Sequence, residues 1–212
     1  VTGYFRGNAT FGSTTLVCAG YTDLFIAKYD NSGNFLWVKQ AGGETALTKG
    51  VDVVTDINGN CYVLGDFVGL ITFGGTHQIY SAHFDSRDLF LAKYDNFGNF
   101  ISVRQISYPG ECNAGGIALD ITGNIYVTGS MPFEFHFEES ILITKLDSSF
   151  NLLWENQAGS VTIDRGHSIV IDDLGNCYLT GFFSGIATFG STIIEDYGNG
   201  DIFVAAYNDA GN

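Results

Sequence analysis

The sequence predicts an all-β fold assembled from small repeated sheets, and three observations predict it. Asp23-Leu-Phe-Ile-Ala-Lys-Tyr-Asp30 returns as Asp88-Leu-Phe-Leu-Ala-Lys-Tyr-Asp95, and more weakly as Ser140–Asp147 and Asp201–Asn208. A second segment, Gly59-Asn-Cys-Tyr62, returns as Gly123-Asn-Ile-Tyr126 and Gly175-Asn-Cys-Tyr178. Gly is abundant (28 residues), Pro nearly absent (2), and no window keeps the apolar i, i+3, i+4, i+7 spacing of a helix. Self-similarity at this spacing means that each unit must stack on copies of itself to bury its apolar surface.

Each repeat reads as four strands. The first ends on an Asp: Val51–Asp56, Gly115–Asp120 and His167–Asp172. The second follows a Gly-Asn turn: Cys61–Phe67, Ile125–Ser130 and Cys177–Phe183. The third is the Asp-Leu-Phe-Ile-Ala-Lys-Tyr segment, and the fourth covers Phe35–Gln40, Phe100–Gln105 and Leu152–Gln157. Asp-x-x-Gly-Asn turns begin at Asp30, Asp56, Asp95, Asp120 and Asp172. In such a turn the Asp side chain accepts from nearby backbone and the Gly supplies positive φ. The third copy of the strand three to four turn, Ser148-Ser-Phe-Asn151, lacks that Gly, which leaves its shape open. Between strands two and three, Ala9-Thr-Phe-Gly12, Ile71-Thr-Phe-Gly74 and Ala187-Thr-Phe-Gly190 predict an added hairpin, shortened in the third copy to Met131–Glu139.

In Asp23–Asp30, Leu24 and Ile26 point one way and Phe25, Ala27 and Tyr29 the other, so both faces are apolar. A small sheet with two apolar faces needs a neighbour on each. A radial array provides this and leaves only short edges, whereas the rungs of a linear β-solenoid are much shorter than these repeats. The expectation is therefore a β-propeller of four-stranded blades. The single array spans 1–212, with blade parts at 1–40, 50–110, 115–158 and 166–208, about half a ring. Because the chain opens and stops inside repeats, it is expected to be part of a longer multi-domain protein.

The combination Val-Thr-Gly, Thr-Phe-Gly, Asp-Leu-Phe-x-Ala-Lys-Tyr-Asp, Gly-Asn-Phe-Leu-Trp and Asp-x-x-Gly-Asn-x-Tyr-Val-x-Gly resembles the bacterial SBBP β-propeller repeat over nearly the whole chain. The resemblance implies a secreted or cell-surface bacterial protein with an adhesive or binding role. It carries over no catalytic residue.

Composition narrows the function. A net charge of −14 with only 9 basic residues disfavours nucleic acid and anionic membrane surfaces, and no apolar run is long enough to insert in a bilayer. No Gly-x-Ser-x-Gly, His-Glu-x-x-His, P-loop or Rossmann fingerprint occurs. Asp56, Asp120 and Asp172 resemble glycosidase carboxylates only superficially, because they recur at every hairpin corner and a single active site does not. The chain reads as a non-enzyme.

Aromatic residues that do not recur, Tyr80, Phe84, Phe133 and Phe135, are the candidates to bind a protein or glycan partner. Glu195, Asp196, Asn199 and Asp201 form the segment richest in oxygen ligands and are the candidate Ca²⁺ set; no other cofactor is indicated. Trp37 and Trp154 share one position, as do Gln40, Gln105 and Gln157, which indicates structural roles. Cys61 and Cys177 alternate with Ile125 and read as buried, unpaired core residues; the spacing of Cys18 and Cys112 fits free and paired thiols alike. Alternative readings are a purely structural spacer or filament module, or a glycan-active enzyme domain.

Overall fold

The structure, a computed structural model, describes residues 1–82, 86–132 and 139–212. Its contacts divide it into two compact units, Val1–Ser107 and Tyr108–Asn212. Among the described residues every regular element is a strand.

The first unit holds β1 (Thr2–Phe5), the hairpin β2 (Asn8–Phe11) and β3 (Thr14–Val17), then β4 (Asp23–Tyr29) and β5 (Phe35–Ala41). It continues with β6 (Leu47–Thr55), β7 (Cys61–Val68), the hairpin β8 (Leu70–Phe73) and β9 (His77–Tyr80), β10 (Asp88–Tyr94) and β11 (Phe100–Ile106). These form two antiparallel sheets, ordered β1-β4-β5 and β11-β10-β7-β6. The second unit contains β12 (Asn113–Leu119), β13 (Ile125–Pro132), β14 (Glu139–Leu146) and β15 (Leu152–Ala158). It ends with β16 (Arg165–Ile171), β17 (Cys177–Phe183), the hairpin β18 (Ile186–Phe189) and β19 (Thr192–Glu195), and β20 (Asp201–Tyr207). Its sheets are ordered β12-β13-β14-β15 and β16-β17-β20.

Each unit has one core, and it lies between its two sheets. In the first, Leu24 and Ile26 meet Cys61, Val63, Phe90, Ala92 and Tyr94. In the second, Tyr126, Ile141 and Ile143 meet Cys177, Leu179, Phe203 and Tyr207. One face of a sheet, that of Leu24 or Ile141, thus packs on the alternate face of the next, as the two-sided apolar pattern requires.

The first strands begin earlier than their sequence indicates, at Leu47, Asn113 and Arg165 instead of Val51, Gly115 and His167. The register slips between Gly50 and Asp52, Ala114 and Gly116, and Gly166 and Ser168. A bulge breaks the alternation of period two, so the residues before it read as connection. The open question at Ser148–Asn151 resolves into the same turn as its siblings. Asp147 and Asn151 pair through backbone, the Phe150 N–H donates to the Asp147 carbonyl at 2.9 Å, and Phe150 takes the positive φ (70°) held elsewhere by Gly. Its ring is buried, and that burial offsets a left-handed conformation costing a non-Gly residue about 1–2 kcal/mol.

The recurrent Gly within each second strand has a different cause. A Cβ on Gly65 would lie 2.0 Å from the Lys49 carbonyl and 2.4 Å from the Phe90 ring; on Gly181 it would lie 1.9 Å from the Arg165 carbonyl. Strand one and the aromatic ring of strand three approach the backbone too closely for a side chain. Gly65→Ala is therefore expected to destabilise the chain by about 2–3 kcal/mol. Gly123→Ala, strained in φ but with its nearest neighbour 4.0 Å away, should cost about 1 kcal/mol. Urea denaturation of both variants checks the order.

Candidate interaction site

Two devices join neighbouring sheets and so fix what the surface presents. Lys28 on β4 and Trp37 on β5 both reach the turn of the next sheet: Lys28 donates to the Asn96 side-chain oxygen, and Trp37 Nε1 to the Asn96 carbonyl at 3.2 Å. In the second unit Lys145 binds the Asp209 carboxylate and Trp154 Nε1 donates to the Asp209 carbonyl at 2.9 Å. The shared Trp position is thus structural. The second device is the Thr-Phe-Gly hairpin. Thr72 donates its N–H to the Gly42 carbonyl of the preceding sheet at 2.9 Å, and Thr188 and Gly159 pair in both directions. Phe73 and Phe189 pack on Phe90 and Phe203, with centroids 5.3 and 4.8 Å apart. Recurrent aromatics are therefore packing residues.

The hairpin is also pinned to its own sheet. Buried Asp88 accepts from the Ala82 N–H (2.7 Å), Gln105 Nε2 (2.6 Å) and the Ser107 hydroxyl (3.0 Å), and Gln105 also donates to the Tyr80 carbonyl (2.9 Å). Asp23 and Gln40 repeat this against Ala19 and Val17, but Gly42 stands where Ser107 does, and Asp23 Oδ1 has no hydrogen-bond partner among the described residues. Gln157 shares the position without the pairing, because Ser140 replaces the Asp.

The turn carboxylates are fully engaged. Asp56 Oδ1 accepts from the N–H groups of Asn58 and Asn60, both at 2.9 Å, and Oδ2 accepts from the Asn60 amide at 2.7 Å. Asp30, Asp95, Asp120, Asp147 and Asp172 repeat the pattern. The Asn side-chain amide is the chief cause holding Asp30, Asp95, Asp147 and Asp172 below the usual carboxylate range. At Asp56 and Asp120 burial pulls upward, and the donors together outweigh it. Burial pushes the Cys61 and Cys177 thiols up, keeping them protonated, and all four Cys are free.

Tyr80 ends β9 and is 57% exposed. Phe84, Phe133 and Phe135 lie outside the described residues. Of the oxygen-rich set, Asp201 accepts from the Tyr197 N–H at 3.0 Å, the same i−4 contact that Asp23 makes with Ala19. Asp196 donates its N–H to the Gly185 carbonyl at 3.0 Å, while Glu195 and Asn199 are exposed. Among the described residues, no three His, Cys, Asp or Glu side chains converge on a metal position.

One feature escaped the sequence reading. Arg165 makes a two-pronged ion pair with Glu139, at 2.6 and 2.8 Å, and Ser130 donates to the same carboxylate. These residues do not recur, so repeat comparison gave no signal for them.

The chain is thus a repeat scaffold of stacked antiparallel sheets. A family model described as the SBBP beta-propeller repeat matches residues 36–66 and 103–130, which supports the resemblance drawn from the repeated motifs. The first match runs from β5 through β6 to β7, so the sequence repeat straddles the joint between two sheets. No curated protein matches the chain.

Acid should loosen this scaffold through its turns. Hydrogen bonds from Asn and the backbone hold these carboxyl groups below the ordinary Asp range, so the stabilisation is complete above that range and is lost as pH falls through the lowered folded value. Denaturant midpoints should stay level from about pH 7 to 5 and drop below about pH 4. Asp56→Ala should lower stability by about 1 kcal/mol at neutral pH and flatten the acid limb.

Proposed function

We propose that the sheets are blades of a β-propeller of which this chain forms about half a ring. In this reading the chain is a non-catalytic scaffold of a secreted or cell-surface bacterial protein. It holds a protein or glycan partner on the side carrying the strand two to three hairpins, and needs no cofactor.

The observation that carries the reading is Tyr80. Its carbonyl makes the same contact with Gln105 that the Val17 carbonyl makes with Gln40, so the fold asks only for its backbone. The ring stands exposed where the other copies carry Val17 and Glu195. An exposed Tyr with no packing duty is suited to stack on a sugar or anchor a partner. The fully occupied turn carboxylates support the non-catalytic part.

A glycan array tests this. The chain is expected to retain at least one glycan class, and Tyr80→Ala to weaken binding by about tenfold, or about 1.4 kcal/mol, with an unchanged melting temperature. Repeating the array with Ca²⁺ and with chelator tests Glu195, Asp196, Asn199 and Asp201. Binding that ignores the substitution removes Tyr80 from the site, and no binding under any condition favours the spacer reading.

A further inference from the structure

The connection before β4 carries a second exposed ring, that of Tyr21, which is 66% exposed. Its N–H donates to the Ala46 carbonyl at 3.1 Å, in a turn that the Ala46 N–H closes on the Gly43 carbonyl at 2.9 Å. A Cβ on Gly69 would lie 3.6 Å from Ala46 Cα. Gly69 is joined in turn to Ser81: the Ser81 N–H donates to the Gly69 carbonyl at 3.1 Å, and the Gly69 N–H to the Ser81 hydroxyl at 3.0 Å. Tyr80 precedes Ser81. Three backbone steps of about 5 Å each thus lead from Tyr21 to the Tyr80–Ser81 segment, a separation of roughly 15 Å.

Both rings stand at the joint between the β1-β4-β5 sheet and the β11-β10-β7-β6 sheet, two neighbours that the chain itself supplies. Between them the turn 43–46 presents Glu44 and Thr45, both exposed. Gln78, also exposed, lies two residues from Tyr80 on the same face of β9. These side chains place hydrogen-bond donors and acceptors beside two open aromatic rings. In the second unit Glu138 holds the Tyr21 position, counted back from strand three, and Glu195 holds the Tyr80 position in its hairpin. The pair of rings is therefore a property of this joint and not of the repeat.

We propose that Tyr21 and Tyr80 form one binding site for an extended neutral glycan. Each ring stacks on a sugar, and Glu44, Thr45 and Gln78 meet the hydroxyls between them. The apolar face of a pyranose suits an open Tyr ring, whose hydroxyl stays in water. A net charge of −14 selects against uronic and sulfated chains. The separation of the two backbones calls for a chain longer than a disaccharide, and two weak contacts made by one ligand reinforce each other. The inference rests on the Tyr80 reading above and adds to it a second residue and the class of glycan.

Calorimetric titration with the disaccharides and hexasaccharides of the cello and chito series, and with hexagalacturonate, tests it. In at least one neutral series the hexasaccharide is expected to bind at least about tenfold more tightly than the disaccharide. Tyr21→Ala should remove about that gain and leave disaccharide affinity unchanged, whereas Tyr80→Ala should weaken both by about tenfold. Tyr21→Phe keeps the ring and should bind as the wild type does, and because Tyr21 is exposed neither of its variants should shift the melting temperature. Equal affinity for the two chain lengths, a Tyr21→Ala variant that binds the hexasaccharide normally, or hexagalacturonate bound as tightly as the neutral chains would each overturn the proposal. If Tyr80→Ala weakens binding and Tyr21→Ala does not, the Tyr80 reading stands and the extension falls. If none of these sugars binds, the extension also falls, and the Tyr80 reading is decided by the wider glycan array.

Discussion

Each small sheet of this chain carries apolar residues on both faces, and the rest of the structure follows from covering them. Leu24 and Ile26 on one side of β4, and Phe25 and Ala27 on the other, cannot both be buried by the strands of their own sheet. Stacking solves this at roughly 25 cal/mol for each square ångström of apolar surface removed from water. It also fixes where side chains are forbidden: a Cβ on Gly50 or Gly166 would lie 2.1 Å from Thr2 Oγ1 or 2.0 Å from Thr128 Oγ1 of the neighbouring sheet.

Stacking alone does not set the register between sheets. That comes from polar links at the rim, where a Lys and a Trp of one sheet converge on the turn of the next. Trp burial and a directional N–H give that contact both area and geometry. The hairpin bridge through Thr72 or Thr188 fixes the other end. The scaffold is held at both rims, and the turn Asp residues keep the acceptors in place.

Function in such a scaffold is expected where a position departs from its siblings. Tyr80 departs by presenting an exposed ring where Val17 and Glu195 stand. That departure was legible in sequence because it breaks the repeat. What the sequence did not carry is that only the backbone of Tyr80 is engaged, its carbonyl accepting from Gln105, since that contact depends on a strand 25 residues away.

The sequence by itself determined the all-β class, the four types of strand, the added hairpins, the Asp-x-x-Gly-Asn turns and the packing role of the recurrent aromatics. These are local properties: alternation of period two, positive φ at Gly and side-chain acceptors two and four residues from their donors. Tertiary structure alone decided the bulges at Val51, Gly115 and His167, the capture of Asn96 and Asp209 by a neighbouring sheet's Lys and Trp, and the conformation of Phe150. Each depends on contacts between residues far apart in the chain, such as Lys28 and Asn96 or Trp154 and Asp209, and those energies leave no trace in local spacing.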